Sequence, residues 1–331
     1  MANGPPVTWG IVSTADINRK VIPAAQASEM VELVAVASRT QKRADTYAQK
    51  WGIPRAYGSY EALLADPEID AVYISLPNTL HCEWSIRALD AGKHVLCEKP
   101  LSRQPEEVVA AFDAAERNGR LLSEAFMYRH NPQTARIVEL VDEGAIGDLR
   151  LVRSTFGYGL YDDTNIRLRS DVEGGALMDV GCYNVSASRL LAGEPERVWA
   201  EAWYGPTDTD WVVAATMRFP DDVLALFDCG TALVERDELE AIGSEGSLFV
   251  DDPFHVDVPG IELRYDDGSV ERIELDHEDS YRLELENVSA AIRGEAELLL
   301  GREDAVAQSR VLEALHRSAT TGEPVTLEAV S

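Results

Sequence analysis

Short apolar runs alternate with segments of helical periodicity through the first 125 residues. The runs are rich in Val, Ile and Ala, which is typical of strands buried on both faces, and the segments between them predict helices. Strands joined by helices favour a parallel, doubly wound sheet. The predicted strands are Val7–Val12, Val31–Ala37, Asp70–Leu76, His94–Glu98 and Leu121–Phe126. The predicted helices are one after the turn Ser13–Ala15, Gln41–Trp51, Tyr60–Leu64, one that ends before Gly92, and one that begins at Pro105.

The pattern changes after Phe126. Long runs follow in which apolar and polar residues alternate, as is typical of strands with one covered face. The predicted elements are helices Thr134–Val141, Arg282–Ile292 and Glu303–Ala319, and strands Leu149–Phe156, Val198–Trp203, Trp211–Phe219, Val223–Cys229, Glu238–Ile242, Ser247–Val250 and Ile261–Tyr265. We therefore predict two domains: an α/β domain over residues 1–125, and an α+β domain over residues 126–331 with an open, mainly antiparallel sheet.

Residues with functional side chains follow several of the predicted parallel strands. In a doubly wound sheet, ligands bind at the carboxyl ends of the strands, along one edge. The segments at these ends are Ser13–Ala15, Ser38–Thr40, Pro77–His81 and Glu98–Lys99. The sequence therefore predicts one ligand-binding edge in the first domain.

The first of these segments is a degenerate dinucleotide-binding turn. Gly10 occupies the first glycine position of the G-x-G-x-x-G fingerprint, and Ser13 and Ala15 replace later small residues. The pattern is weak alone, since many α/β proteins begin this way without binding a nucleotide. On this fold, the backbone amides of Ser13, Thr14 and Ala15 are expected to bind the pyrophosphate.

The end of the second strand indicates which dinucleotide is bound. An acidic residue there would accept hydrogen bonds from a free ribose 2′-hydroxyl, whereas this chain has Ser38, Arg39 and Thr40. Hydroxyl and guanidinium groups suit a 2′-phosphate, so we expect NADP(H) in preference to NAD(H). The alternative is that Arg39 only caps a loop.

Lys99 is the last of only five lysines in the chain. It lies between Glu98 and Pro100, where a buried strand should reach the surface. An abundance of surface lysines does not explain its presence, so we expect it to have a function.

A glycine-rich segment in the second half contributes two further candidates. Gly174 and Gly175 are expected to let the backbone approach a ligand. A helix after them would place Asp179 and Tyr183 on one face, where both side chains could converge with that of Lys99. The alternative is that Tyr183 packs in a core and Asp179 caps a helix.

The net charge of −28 is concentrated in the second predicted domain. Residues 1–125 carry 13 basic and 16 acidic side chains, whereas the remainder carries 17 and 42. Such a field repels phosphate backbones and anionic lipid, which argues against nucleic-acid and membrane partners. A solvated acidic surface, suited to solubility or salty surroundings, explains the excess better than a cation site.

The cysteines indicate a reducing compartment. Cys82, Cys97, Cys182 and Cys229 are widely spaced and form no CxxC pair, so we expect neither a disulfide framework nor a metal site. The chain has no apolar stretch of the ~20 residues that a membrane helix needs, and its first residues do not form a secretory leader. We expect a cytoplasmic protein.

Together these motifs resemble the Gfo/Idh/MocA oxidoreductase family. The segments that carry the resemblance are Gly10–Ile17, Pro77–His81, Glu98–Pro100 and Gly174–Tyr183. The resemblance implies a Rossmann domain, an open-sheet substrate domain, and hydride transfer between a nicotinamide cofactor and a carbon of a sugar or sugar-like polyol. Tyr183 stands where many members have histidine. In having tyrosine at this position, the chain resembles a branch of sugar, ketosugar and diol oxidoreductases.

By this resemblance Lys99 is the catalytic lysine of a Glu-Lys-Pro motif. When hydride moves at a carbon, the oxygen on that carbon exchanges a proton, so an acid/base group must lie within hydrogen-bond distance. A tyrosine, with an ordinary pKa of ~10, ionises near neutrality only with help such as an adjacent ammonium. We predict Tyr183 as proton donor and acceptor, Lys99 as its electrostatic partner and substrate orienter, and Asp179 as the anchor of a substrate hydroxyl.

The remaining predicted contacts are to the nicotinamide half of the cofactor and to the substrate. Pro77, Asn78, His81 and Glu98 are expected near the nicotinamide ribose, although His81 could cap its helix instead. The residues expected to line the substrate cleft are Arg129, Tyr158, Tyr161 and Arg167. The alternative for Arg167 is a solvated loop.

The open sheet predicts self-association. Helices on only one face of so wide a sheet would leave the other face exposed, so we expect a homodimer or homotetramer formed through it.

The sequence leaves two other functions open. One is a ligand-sensing regulator on the same fold, since fold does not determine function. The other is a dehydrogenase of a non-carbohydrate diol. Retention of Lys99, Asp179 and Tyr183 favours catalysis, and it does not distinguish a sugar from a diol.

Overall fold

The computed structural model describes residues 4–160, 162 and 164–328. These residues form two compact units. The first contains the described residues up to His130 and the later segment Asp279–Val306, and the second contains Asn131–Glu278 and the described residues from Ala307 onward. The predicted division at residue 125 placed everything after it in one domain, whereas the chain here returns to the first unit.

The first unit is built on a six-stranded parallel sheet. Its strands are β1 (Val7–Val12), β2 (Val31–Ala37), β3 (Arg55–Tyr57), β4 (Ala71–Ile74), β5 (His94–Glu98) and β6 (Leu122–Ala125). They lie in the order β3-β2-β1-β4-β5-β6, so the chain moves outward from β1 in both directions. This order confirms the predicted doubly wound fold.

Nine α-helices occur in the described residues of the two units. They are α1 (Asn18–Ala27), α2 (Gln41–Trp51), α3 (Tyr60–Leu64), α4 (His81–Asp90), α5 (Pro105–Asn118), α6 (Pro132–Asp142), α7 (Cys182–Ala192), α8 (Ser280–Ile292) and α9 (Arg302–Thr321). The limits of α2 show why local signals predicted it well. The Thr40 hydroxyl caps its first turn by accepting from the Arg43 amide (3.4 Å), and Gly52 ends it in the left-handed conformation, at φ 68°.

Both faces of the parallel sheet are covered by apolar residues. On one face, side chains of α3, α4 and α5 pack against the strands, with Leu63, Leu89 and Phe112 among the buried residues. On the other, Ile22 of α1 and Leu285 of α8 join the cluster around Trp9. The strands therefore read as continuous apolar runs because neither face meets water.

The helix α8 reaches this sheet from far along the chain. Leu285 and Val288 are buried in the cluster that contains Trp9. The Trp9 indole N–H donates to the Ser289 hydroxyl (3.1 Å), and both residues are buried. The sequence predicted a helix here, and the structure assigns it to the first unit.

The second unit contains a nine-stranded sheet. Its strands are β7 (Leu149–Gly159), β8 (Arg197–Tyr204), β9 (Asp210–Arg218), β10 (Leu224–Gly230), β11 (Ala232–Gly243), β12 (Gly246–Asp251), β13 (Gly260–Tyr265), β14 (Val270–Glu274) and β15 (Val325–Thr326). They lie in the order β14-β13-β12-β11-β7-β10-β9-β8-β15. The β7–β10 pair is parallel and the other pairs are antiparallel, which confirms the predicted sheet class.

The two faces of this second sheet differ in exposure. On β10, Ala225 and Phe227 are buried, whereas the alternate residues Leu224 and Leu226 are 44% and 39% exposed. Trp199 on β8 is 41% exposed and lies on the same face, because it pairs with Thr216, which in turn pairs with Leu226. The alternation seen in the sequence is therefore that of one packed and one open face.

The predictions missed three short or polar strands, β3, β14 and β15. They also placed β11 at Glu238–Ile242, whereas it begins at Ala232. The added part of β11 has three apolar residues followed by Glu235, Arg236 and Asp237, and β14 has exposed charged residues, so neither alternates regularly between apolar and polar positions. Among the described residues, none of the helices combines the length and apolar composition required to cross a bilayer.

Candidate active site

The turn between β1 and α1 is fixed by a buried network of polar side chains. The Ser13 hydroxyl contacts the Ser75 carbonyl and hydroxyl oxygens, both at 2.8 Å. Asn18 joins both residues, because its amide donates to the Ser13 carbonyl (3.2 Å) and its Oδ1 accepts from the Ser75 hydroxyl (2.8 Å). The network holds the ends of β1 and β4 together. Sequence reasoning missed Asn18 and Ser75.

Ser13, and not Gly10, has the unusual backbone of this turn. Ser13 has a φ of 135°, a conformation that favours glycine, and it comes directly after β1. Gly10 lies inside the strand, and a β-carbon there would be 3.0 Å from Leu63 Cδ2 and 3.3 Å from Ile69 Cδ1. Its missing side chain therefore serves packing within the sheet layer. Thr14 and Ala15 follow in the loop, where Ala15 N–H donates to the Ser13 hydroxyl (3.1 Å).

Ser38, Arg39 and Thr40 connect β2 to α2, as predicted. The Ser38 amide donates to the Tyr57 carbonyl (3.0 Å), and its side chain is buried. Arg39 is exposed, and the hydroxyl of Thr40 accepts from the Arg43 amide. This geometry places one guanidinium, one hydroxyl and the amides of a helix N-terminus in one short segment, which is a favourable arrangement for an anion.

Arg43 is a further cation at this end of β2 that sequence reasoning missed. Burial raises the pKa of Tyr60, and the positive charges of Arg39 and Arg43 oppose that rise. Both guanidinium groups thus lie near one tyrosine. Arg39 and Arg43 are four residues apart across the start of α2, and this spacing could have predicted that the two cations lie close together.

His81 ties two strand ends together. It is buried at the start of α4, with Nδ1 2.8 Å from the Pro100 carbonyl oxygen and Nε2 2.7 Å from that of Leu76. Burial lowers the pKa of His81. Pro77 and Asn78 lie in the short turn between β4 and α4. Their expected place beside the nicotinamide ribose stays a prediction.

The strand β5 brings Glu98 and Lys99 to the carboxyl edge. Glu98 Oε1 accepts from the Tyr73 hydroxyl, and Oε2 accepts from the Lys99 amide (3.2 Å). Burial and the charge of Glu98 raise the pKa of Tyr73 well above its usual value, so Tyr73 stays a donor. The Glu98 carboxylate therefore binds the backbone of Lys99. We refer to these two groups together as the Glu98–Lys99 corner.

In the second unit, Asp179 is bound by two residues predicted for the substrate cleft. The Tyr158 hydroxyl donates to Asp179 Oδ2 (2.5 Å), and Arg167 Nε donates to Oδ1 (3.1 Å). Burial, followed by the Asp179 charge, raises the pKa of Tyr158. The three side chains form one polar group, so Arg167 does not lie in a freely solvated loop.

Tyr183 lies in the first turn of α7, after the π-helical turn Leu177–Gly181. Its ring packs against Phe156 and Phe254, with centroids 5.4 Å from each. Tyr183 is only 7% exposed. The aromatic contacts fix the ring plane, and a tyrosine so held presents its hydroxyl in one direction.

The glycine pair before this turn serves packing within the second unit. A β-carbon at Gly174 would be 2.5 Å from the Arg167 carbonyl oxygen, and one at Gly175 would be 2.1 Å from Asp210 Oδ1. Asp210 also accepts from the Leu177 amide (2.6 Å). The close approach inferred from the sequence is therefore to the protein's own groups.

The other predicted residues are placed as follows. Arg129 belongs to the first unit and forms an ion pair with Asp304, with Nη1 and Oδ1 3.5 Å apart. Tyr161 lies outside the described residues. Asp237, Asp252 and His255 cluster in the second unit, unnoticed in the sequence, and the Asp252 carboxylate there accepts from the Val256, Asp257 and Val258 amides. The expectation of no metal site stays a prediction.

Replacing Ser75 with alanine tests the network at the β1–α1 turn. We expect Ser75→Ala to lower the free energy of unfolding by about 1–3 kcal/mol, because buried polar groups of Ser13 and Asn18 lose a partner. Urea denaturation measures this change. Ser269→Ala, at an exposed turn, is the control and should change the free energy by less than about 0.5 kcal/mol. Equal effects of the two changes would contradict the proposed network.

Comparison with solved structures supports the two-unit architecture. A 3-ketoreductase from Actinomadura kijaniata, solved with NADP and TDP-benzene, aligns with a TM-score of 0.89 and 32% identity, over 95% of this chain and 98% of that one. An aldose-aldose oxidoreductase from Caulobacter crescentus, solved with glycerol, gives a TM-score of 0.90 and 28% identity, over 97% of this chain and 100% of that one.

Sequence comparison gives relatives and a family. A D-xylose 1-dehydrogenase (NADP(+)) from Haloferax volcanii is 43% identical, over 97% of this chain and 99% of the relative. A trans-1,2-dihydrobenzene-1,2-diol dehydrogenase from Danio rerio is 36% identical, over 76% of this chain and 75% of the relative. Residues 7–126 match the oxidoreductase family model with an NAD-binding Rossmann fold, and residues 134–249 match the Gfo/Idh/MocA C-terminal domain. The chain belongs to the Gfo/Idh/MocA oxidoreductase family.

Proposed function

We propose that the protein is an NADP(H)-dependent oxidoreductase that acts on a carbon of a sugar or of a sugar-like polyol or ketosugar. The observation that carries the proposal is the likeness, over 97% of the chain, to an NADP-dependent xylose dehydrogenase. The chain combines this likeness with Lys99 at a strand end of the first unit and with Asp179 and Tyr183 in the second. A ligand-sensing regulator would have no need of an acid/base group.

The residues at the carboxyl edge of the first sheet fit a phosphorylated dinucleotide. Arg39 and Arg43, with Ser38 and Thr40, would hold a 2′-phosphate at the start of α2. The amides of the loop from Ser13 to Ala15, with Gly10 supporting it from within β1, would hold the pyrophosphate. NADP(H), when bound, supplies or accepts the hydride. Pro77, Asn78 and Glu98 are proposed to hold the nicotinamide half.

We assign the proton to Tyr183. Oxidation of a CH–OH group removes the hydroxyl proton, and Tyr183 would accept it, or return it during reduction. Tyr158 is a poor base, because burial and the Asp179 charge raise its pKa. Lys99 is proposed as the ammonium that favours the Tyr183 phenolate and orients the substrate. Asp179, already oriented by Tyr158 and Arg167, would accept a hydrogen bond from a second substrate hydroxyl.

Conservative replacements test the proton relay. Tyr183→Phe and Lys99→Met should each lower kcat about 100-fold or more, because general acid–base catalysis contributes on the order of 10²–10⁴. NADPH binding, followed by its fluorescence, should change by less than about threefold. Tyr265→Phe, at a half-buried position on β13, should leave both quantities unchanged. Near wild-type turnover of both variants would refute the assignment.

Arginine replacements test the cofactor. Arg39→Ala and Arg43→Ala should each raise the KM for NADP⁺ by about 10–100-fold, since hydrogen bonds to a charged group contribute about 1.5–3 kcal/mol. The KM for NAD⁺, which has no 2′-phosphate, should change less. This difference separates loss of a phosphate contact from damage to the fold. Arg117→Ala, an exposed residue of α5 paired with Asp90, is the control. Better use of NAD⁺ than NADP⁺ by the wild-type protein would refute the proposal.

A non-carbohydrate diol is the second candidate substrate. The likeness to a dihydrobenzenediol dehydrogenase favours it, and a ring diol presents adjacent hydroxyls as a sugar does. A panel of aldoses, ketosugars and ring diols, followed by NADPH absorbance, ranks the candidates by kcat/KM.

We also propose a cytoplasmic homo-oligomer. The four cysteines are buried as thiols in the described part of the chain, which supports a reducing compartment. The exposed row of Trp199, Leu224 and Leu226 supports association through the open sheet face.

Leu226→Arg tests the oligomer. A buried guanidinium in the apolar face should shift the protein from dimer or tetramer to monomer in sedimentation velocity at micromolar concentration. Val234→Arg, at a position 81% exposed, should not shift it. A monomeric wild-type protein would refute the proposal.

A further inference from the structure

A carboxylic acid lies within the apolar face of α8. Leu285 and Val288 are buried in the cluster on the first sheet, and Tyr281 and Ile292 pack against it. Glu284 falls in the same helical stripe, three residues after Tyr281 and four before Val288. It is only 2% exposed. An apolar residue is expected at such a position, so packing does not explain the carboxyl group.

One oxygen of the buried Glu284 carboxyl group, Oε1, lacks a hydrogen-bond donor in the part of the chain that the structure describes. Burial, and then the charge of Glu98, raises the pKa of Glu284 well above its usual value. Desolvation of an ionised carboxylate is strongly unfavourable without a partner, so the protonated form is favoured.

Tyr73 of β4 links the stripe that contains Glu284 to the Glu98–Lys99 corner, because it is buried in the same apolar cluster as Leu285 and Val288 and its hydroxyl donates to Glu98. The turn Met127–His130 also packs against α8; its Arg129 pairs with Asp304, and burial lowers the pKa of His130 to about 4. Glu98 on β5 acts on Glu284 through its charge, and Tyr73 on β4 is affected by both carboxyl groups. Tyr281, on α8 itself, also acts on Tyr73. The Glu98 carboxylate in turn binds the Tyr73 hydroxyl and the Lys99 amide. A second negative charge on Glu284 would repel Glu98 in surroundings of low dielectric.

We propose that Glu284 is a positioning residue for the Glu98–Lys99 corner. As a neutral acid, Glu284 adds no further negative charge beside the Glu98 carboxylate. Once Glu284 is ionised, it repels the Glu98 carboxylate and displaces the peptide that presents Lys99. The inference rests on the proposed role of Lys99. It adds that turnover falls at alkaline pH when Glu284 of α8 ionises.

The pH dependence of turnover in E284Q tests the proposal. Glutamine keeps the shape of the side chain and cannot ionise. At pH 7, the kcat of E284Q should lie within about threefold of the wild-type kcat. Between pH 7 and 9.5 the activity of both proteins should fall, and the fall for E284Q should be smaller than that for wild type by a factor of at least about three. E286Q, two residues along α8, is the control, because Glu286 pairs with Arg282 (3.2 Å) and should leave the wild-type profile unchanged. Identical profiles for E284Q and wild type would overturn the proposal.

Thermal unfolding gives a second readout that needs no substrate. Because the pKa of Glu284 is raised in the folded state, wild-type stability falls as pH rises from the unfolded value of ~4.3 toward the folded value. E284Q lacks this loss, so its Tm should exceed that of wild type by about 2–4 °C at pH 8 and by less at pH 5. An unchanged Tm difference would show that Glu284 is not buried as a neutral acid, and would overturn the proposal even if no substrate were turned over.

Discussion

Neither face of a parallel sheet of apolar strands can be exposed to water, and the rest of the first unit follows from that constraint. The helices α3, α4 and α5 cover one face. The other is completed only when α8 returns from residues 280–292 and places Leu285 and Val288 beside Trp9. Coverage on both sides holds the strand ends at fixed positions, and the candidate cofactor-binding segments all begin at those ends.

The sequence predicted most elements because their signals are local. The Thr40 cap and the Gly52 terminator define α2 without reference to any other segment. Alternation in β10 shows one packed and one open face. The helix α8 was predicted as a helix but not as part of the first unit, since an amphipathic stripe shows that a face is buried and does not show what buries it. The strands β3, β14 and β15 lacked any apolar period.

Candidate site residues could be proposed from the sequence where a residue type is unusual for its position. Lys99 at the end of a buried strand and Arg39 in place of an acid are such cases. The rest depended on partners distant in sequence: Ser13 contacts Ser75, 62 residues away, and the helix that carries Glu284 covers strands from the first part of the chain. Gly10 shows the converse problem, because a glycine that packs against Leu63 cannot be told from one that faces a phosphate until the neighbours are known.

The return of α8 has a consequence for synthesis of the chain. During translation β1 to β6 emerge first, and the apolar cluster around Trp9 then lacks Leu285 and Val288 until the ribosome has also made residues 131–278. In that interval one face of the nascent sheet is incompletely covered and prone to non-native association. The first unit therefore cannot be completed until most of the second has been synthesised, so its apolar cluster depends on a segment from the last quarter of the chain.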